Sequence, residues 1–266
     1  MNAARQRSSP DQGPSQGRRH SGLSGAPYFL VDDVPGAGPF QLTGPEGRHA
    51  ATVRRLRVGE HLMLTDGRGG VAPATVLHVG RGELTVQVDA SEQIAAPAVR
   101  VTLVQAVPKG DRGELAVELA TEAGVDALVP WAAQRCIARW GADRAPHSVL
   151  RWRAAAREAA KQSRRPFVPD VADLADTPAV TGLIGRSAAA LVLHESATAP
   201  LRAAELPDTG DVVLIVGPEG GLTEEELTVF QAAGAVPVRL GPQVLRTSTA
   251  GAVALGALGV LTGRWT

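Results

Sequence analysis

A continuous apolar run and a second strand near the C-terminus, each ending in a Gly-Pro loop, constrain this chain more than any other feature. Val212 to Val216 runs straight into Gly217, Pro218, Glu219, Gly220 and Gly221, and an acidic segment at helical spacing follows from Thr223 to Leu227. Downstream, Val236 to Leu240 meets Gly241-Pro242 and continues through Gln243, Val244, Leu245 and Arg246 into a small-residue segment from Thr247. A strand that is apolar at every position is covered on both faces, which is the environment of a parallel sheet flanked by helices. Such sheets bind ligands at the carboxyl ends of their strands. The two loops therefore predict neighbouring strand mouths and a crevice between them.

The same reading extends upstream. Val101 to Val107 is a buried strand, and a helix follows with Asp111 as N-cap, Leu115, Leu119 and Ala123 on its inner face, and Gly124 just past its end. Val125 to Trp131 and Ala189 to Leu193 are further strands, and Ser148 to about Arg165 is a long helix. Strands alternating with helices predict an open α/β sheet over residues 98–266.

Before Ala98 the pattern is different. Leu84, Val86 and Val88 alternate with Thr85 and Gln87, a half-buried strand. Asp66-Gly67-Arg68-Gly69-Gly70 is a hairpin turn between two strands. Residues 27–97 are expected to form a small β-barrel, with one helix between Gly44 and Val58. Residues 1–26 carry Arg5, Arg7, Arg18 and Arg19 but no apolar pattern, so they are expected to be a disordered basic tail and not a secretory leader.

Composition excludes some classes. Twenty-seven basic and 27 acidic residues give zero formal charge, which rules out a polybasic protein but leaves room for a local basic face. A single cysteine, Cys136, excludes an intrachain disulfide and a Cys-rich metal centre, and no metal site is expected. Ala250 to Leu261 is too short and too Gly-rich to span a bilayer, so the expectation is a cytoplasmic protein with no membrane partner.

The loops suggest chemistry. Gly217–Gly221 lacks the Gly-Lys-Ser/Thr of a P-loop and the GxGxxG of a dinucleotide fold. Its glycines permit close backbone approach to a ligand, and Glu219 at the mouth disfavours a polyphosphate and favours a cationic or neutral ligand. The bland alternative is an ordinary strand-to-helix turn, with Thr223 and Glu226 spaced as a capping box. In the second loop Val244 and Leu245 are placed to flank a flat ring. Arg246 stands just before a helix that Thr247 or Ser248 would cap. A cation there is locally unfavourable, and broken local rules cluster at functional sites; an ion pair to Glu219 is the competing explanation. His194-Glu195 closes a third strand mouth. On the long helix Arg153, Arg157, Lys161 and Arg164 or Arg165 recur every three or four residues, with Trp152, Ala156, Ala159 and Ala160 turned elsewhere. That spacing is either a phosphate-tracking stripe or a solvated face.

Six motifs, HAxxVRRLRVGE (His49 to Glu60), PKGDRxE with ATEAGV (Pro108 to Val125), EAAKQSRR with VP (Glu158 to Pro169), LHE, GPEGG and LGPxVLRTxT, give the chain a resemblance from about Tyr28 to its end. It resembles the ribosomal RNA small subunit methyltransferase E family of the SPOUT methyltransferases. The resemblance implies a PUA-like β-barrel followed by an α/β domain with a C-terminal trefoil knot, working as a homodimer. It implies S-adenosylmethionine as cofactor and N3 of one uridine in 16S rRNA of the small ribosomal subunit as target. Carried over by motif, the cofactor would contact Leu193, His194, Glu195, Gly217, Pro218, Glu219, Gly220, Gly221, Leu240, Gly241, Val244, Leu245, Arg246 and Thr247. Charge chemistry, not the motif, makes Arg246 the expected catalytic residue, stabilising negative charge that develops on a uracil oxygen. RNA contacts would come from Arg54, Arg55, Arg57, Lys109, Arg112, Arg153, Arg157, Lys161, Gln162, Arg164 and Arg165. The family usually has Glu between the two Thr of the last motif, where this chain has Ser248. A non-catalytic RNA-binding assembly factor on the same fold is the competing class; a nucleotide-dependent oxidoreductase is disfavoured by the missing GxGxxG.

Overall fold

The computed structural model describes residues 25–265, so nearly all of the expected tail lies outside the described residues. The first domain contains β1 (Tyr28–Leu30), β2 (Gly38–Leu42), α1 (Gly44–Arg48) continued by a π-helical turn (His49–Val53), β3 (His61–Thr65), β4 (Gly70–Val79), β5 (Leu84–Val88) and β6 (Glu92–Gln93). Its sheet runs β1-β3-β4-β5-β2, with β6 attached to β4. Leu84, Val86 and Val88 are buried, as their alternation predicts. Asp66 closes the β3–β4 hairpin by accepting the N–H groups of Arg68 (2.7 Å) and Gly70 (2.9 Å). The expected barrel does not close: among the described residues the terminal strands β1 and β2 are not paired. The helical segment covers the opening instead, with Ala50 buried in one cluster with Phe29 and Leu42.

The second domain contains β7 (Val99–Ala106), α2 (Arg112–Glu122), β8 (Ala127–Trp131), α3 (Ala145–Gln162), β9 (Asp170–Val171), α4 (Thr177–Ile184), β10 (Ala189–Leu193), β11 (Gly210–Val216), α5 (Glu224–Ala232), β12 (Val236–Val238) and α6 (Thr247–Leu261). The strand order is β12-β10-β11-β7-β8-β9, and every pair is parallel. Val212, Leu214 and Val216 of β11 enter one core cluster, while Val213 and Ile215 enter the other. That division is why the strand is apolar throughout: helices cover both faces. After edge strand β12 the chain returns past β10, and α6 packs on α2, β7 and β11.

One helix face differs from expectation. On α2 the buried residues are Gly113, Ala116, Val117, Ala120 and Thr121, while Leu115 is exposed. The cause is close packing on α3: a Cβ at Gly113 would lie 2.8 Å from the Trp152 indole nitrogen. A glycine is needed where that ring approaches, and Leu115 lies off the buried face. Asp111 stands at the helix start, but its side chain makes no capping bond.

The two domains are tied directly. Gly69 N–H donates to the Pro166 carbonyl (3.0 Å), and Val168 N–H donates to that of Gly67 (2.9 Å). Among the described residues no helix is long and apolar enough to cross a membrane.

Candidate functional site

The mouths of β10 and β11 and the loop after β12 enclose a cavity of ≈ 360 Å³. Every cofactor residue expected from the sequence lines it except Gly220. The Gly217–Gly221 loop is shaped by local rules. Gly221 N–H donates to the Pro218 carbonyl (2.9 Å), and Gly221 sits at φ +70°, a conformation costly for residues with a Cβ. A Cβ at Gly217 would approach Leu222 Cδ1 to 2.5 Å, so the glycine lets Leu222 fold over the loop. The expected capping box is present: Glu226 N–H donates to Thr223 Oγ1 (3.1 Å), and Thr223 N–H donates to the Glu226 carboxylate (2.9 Å). Glu219 does not hang free, because its carboxylate accepts the Lys109 N–H (3.1 Å) and ties this loop to the one after β7.

The second loop departs from expectation in one respect. Arg246 itself occupies the N-cap position of α6, and no side chain caps the helix. Thr247 and Ser248 are buried within its first turn and do not cap it. Among the described residues the Arg246 side chain makes no hydrogen bond or ion pair, so the competing explanation, a salt bridge to Glu219, is not what the structure shows. Val244 is 83% exposed and stands at the rim, with Leu245 behind it.

Gln243, in the second loop, lines the cavity as its place there suggests, and the cavity also includes residues that the loops did not announce: Val216, Leu222, Ala250 and two further arginines, Arg112 and Arg239. Arg112 was expected among RNA contacts. Arg239 directly precedes the motif, and its place beside a strand mouth was the only available signal. The rim thus carries Arg112, Arg239 and Arg246 against Glu195 and Glu219. The charge reading from Glu219 is extended: the site offers both signs, which suits a ligand bearing a cation and a carboxylate. Among the described residues no group of His, Cys, Asp and Glu is arranged to hold a metal ion.

The basic residues divide into three sets. Arg54, Gln162 and Arg164 line a smaller crevice of ≈ 100 Å³ between the domains, with Tyr28 and His49. Arg164 and Arg55 are the non-glycine residues at positive φ among the described residues, +57° and +53°. Arg57, Arg153, Arg157 and Lys109 are exposed elsewhere, and Arg153 pairs with Asp173 at 3.0 Å. Lys161 and Arg165 leave the expected stripe. Lys161 is buried and pairs with Glu46 (2.9 Å) and Glu158 (2.8 Å). Arg165 donates to the Thr121 carbonyl (2.7 Å), and burial pushes its guanidinium down to about 10 against the pull of Asp126. Both charges are engaged by protein partners, and Lys161 with Glu158 also borders the crevice.

These features define a class. Residues 95–259 match the model of the RNA methyltransferase domain, and residues 42–89 match that of the RNA methyltransferase PUA domain. Over 247 residues the chain is 50% identical to the ribosomal RNA small subunit methyltransferase E of Mycobacterium bovis, covering 90% of this chain and 94% of that one. It is 28% identical over 246 residues to the protein of the same name from Bacillus subtilis, covering 88% and 96%. The crystal structure of a ribosomal RNA small subunit methyltransferase E from Neisseria gonorrhoeae bound to S-adenosyl methionine superposes with a TM-score of 0.78 at 27% identity, over 89% of this chain and 98% of that one. The chain belongs to the ribosomal RNA small subunit methyltransferase E family.

Proposed function

We propose that the protein methylates N3 of one uridine in 16S rRNA, using S-adenosylmethionine, in the cytoplasm and as a homodimer. The observation that carries this reading is the single cavity at three adjoining strand mouths, with apolar walls and a rim of mixed charge. S-adenosylmethionine would supply an electrophilic methyl group on a sulfonium beside an amino-acid carboxylate. The residues present fit such a group. Leu193, Leu240, Val244 and Leu245 offer apolar surface for an adenine ring, Glu195 and Glu219 suit the cationic groups, and Arg112 or Arg239 suits the carboxylate.

Uracil N3 carries a proton that must leave, so negative charge develops on the ring oxygens. Arg246 would meet it: among the described residues its guanidinium has no partner, and it stands at the α6 N-terminus, whose N–H groups add to the positive field. Much of the rate would come from holding the base in line with the methyl group. The target base must be unpaired or flipped to reach a cavity of this shape. The interdomain crevice with Arg54 and Arg164 is where flanking phosphates would rest. Exposed Val253, Val260 and Leu261 on α6 and Leu115 on α2 give the homodimer an apolar surface to bury.

The test combines calorimetry with S-adenosylmethionine and mass-spectrometric mapping of 16S rRNA treated with the protein. Binding together with a new N3-methyluridine is expected. Binding of RNA without binding of the methyl donor would favour the non-catalytic assembly factor. Arg246→Ala should lower turnover with little loss of donor affinity, and unchanged turnover removes Arg246 from the mechanism.

A further inference from the structure

Gly220 is the one expected pocket residue that does not reach the cavity, and its carbonyl shows why. Arg135, in the loop after β8, donates from Nη1 to the Gly220 carbonyl (3.2 Å) and to the Leu222 carbonyl (3.1 Å). It also packs on the loop: a Cβ at Gly220 would lie 3.1 Å from Arg135 Cβ. Each bond orients a peptide plane. With the Gly220 carbonyl turned out, the N–H of the same peptide turns to the Pro218 carbonyl (2.9 Å). With the Leu222 carbonyl turned out, the N–H of Thr223 turns to Glu226 (2.9 Å). The neighbouring Gln134 N–H donates to the same carboxylate (2.7 Å). The wall of the cavity is thus held from behind by a segment that does not touch the cavity.

We propose that Arg135 is a positioning residue for the methyl-donor site, fixing the Gly217–Thr223 wall in its binding shape from the outer face. The proposal rests on the methyltransferase reading given above. The physical requirement is specific. Both bonds leave Nη1, whose two N–H groups are fixed in the guanidinium plane and so hold two carbonyls in set directions, whereas the donors of an ammonium rotate freely on a flexible stem. Lys109 secures Glu219 from the loop after β7, and Arg135 secures the two residues flanking Gly221 from the loop after β8. Neither clamp alone fixes the whole turn.

The test compares R135M and R135K in the full chain by donor calorimetry, by KM and kcat for donor and RNA, and by thermal unfolding. For R135M the donor Kd and KM should rise about tenfold, since two charge-assisted bonds are lost while the turn keeps its internal bonds. With saturating donor, kcat should stay within about twofold and the RNA KM should not move, because the reacting groups are intact. R135K should recover part of the loss, through one carbonyl. A folded R135M with donor affinity within about twofold of the parent overturns the proposal, and so does an equal loss in both variants that tracks a fall in melting temperature. Should R135M not fold, R135Q serves instead: its shorter neutral amide cannot reach both carbonyls, and unchanged donor affinity there overturns the proposal as well. If the parent protein binds no donor, the methyltransferase reading itself fails; if the parent binds and the variants bind equally, only the role of Arg135 does.

Discussion

Glu226 is the buried acid on which the cavity wall and its supporting loop converge, and its removal gives a sharp test of the architecture. It is 1% exposed. Its carboxylate accepts the N–H of Gln134 (2.7 Å), the N–H of Thr223 (2.9 Å) and the Thr223 hydroxyl (3.2 Å). Bonds to a charged acceptor contribute about 1.5–3 kcal/mol each, and Glu226→Ala would strand two backbone donors. The carboxylate also lies in the first turn of α5, worth roughly 0.3–1 kcal/mol. Against this, the variant is relieved of desolvating a buried charge, which costs several kcal/mol in a native protein. The net expectation is a loss of about 3 kcal/mol by denaturant titration, corresponding to a melting temperature lower by roughly 6–12 °C for a domain of this size. Glu226→Gln keeps the volume but offers one acceptor oxygen in place of two, and should lose about half as much. Glu224→Ala, an exposed acid in the same helical turn, controls for the helix field and should change little. A loss below about 1 kcal/mol for Glu226→Ala would refute the reasoning, because it would mean that the stranded donors find other partners at no cost.

Gly221→Ala should weaken donor binding, since alanine strains a φ of +70° and adds a methyl group on the side of Glu195 Oε1, 4.0 Å away; calorimetry reads the change, and undiminished affinity counts against a tight turn at this wall. Replacing exposed Arg157 and Arg164 together should weaken RNA binding across sequences and lower the salt slope by roughly 0.7 per lost phosphate contact, as read by a salt titration of affinity; an unchanged slope returns both residues to solvent. Burial holds the Cys136 thiol above its ordinary 9.0. Folding therefore favours the protonated form: that contribution is intact below pH 9.0 and is lost as pH rises beyond it. Cys136 should then alkylate slowly in the native protein near neutral pH and quickly once unfolded, and a fast native reaction would contradict the burial.

Much of the architecture was legible because strands and loops announce themselves locally. β10 begins and ends where the apolar run Ala189 to Leu193 does. β11 is apolar at five successive positions because its side chains alternate between two buried faces. The donor-site loops were legible because glycine and proline restrict the backbone in ways few other contexts demand, and the capping box because its partners are three residues apart. Closure of the first domain was not legible. Whether two terminal strands pair depends on how far the sheet curls, and here a helical segment carrying Ala50 occupies the gap.

The misses share one cause. Helical periodicity gives the angle at which a side chain leaves the axis, but what waits there comes from elsewhere in the chain. Lys161 follows Arg157 at the right spacing for a stripe, yet Glu46, 115 positions away, meets it and buries its charge. Gly220 has the right loop and the wrong side, because Arg135, 85 positions away, draws its carbonyl outward. Leu115 has the right chemistry for a core, yet the face of α2 that meets Trp152 is the one carrying Gly113, and Leu115 is left exposed. The charge of the pocket follows the same logic. Glu219 is visible in its motif, but its bond to Lys109 and its three arginine neighbours on the rim come from other strand mouths. A parallel sheet makes this unavoidable, since successive strand ends are joined by whole helices and the residues of one site are scattered along the chain. The loop motif therefore locates the site, while the sign and shape of the ligand it accepts are decided by the loops that the sheet brings alongside.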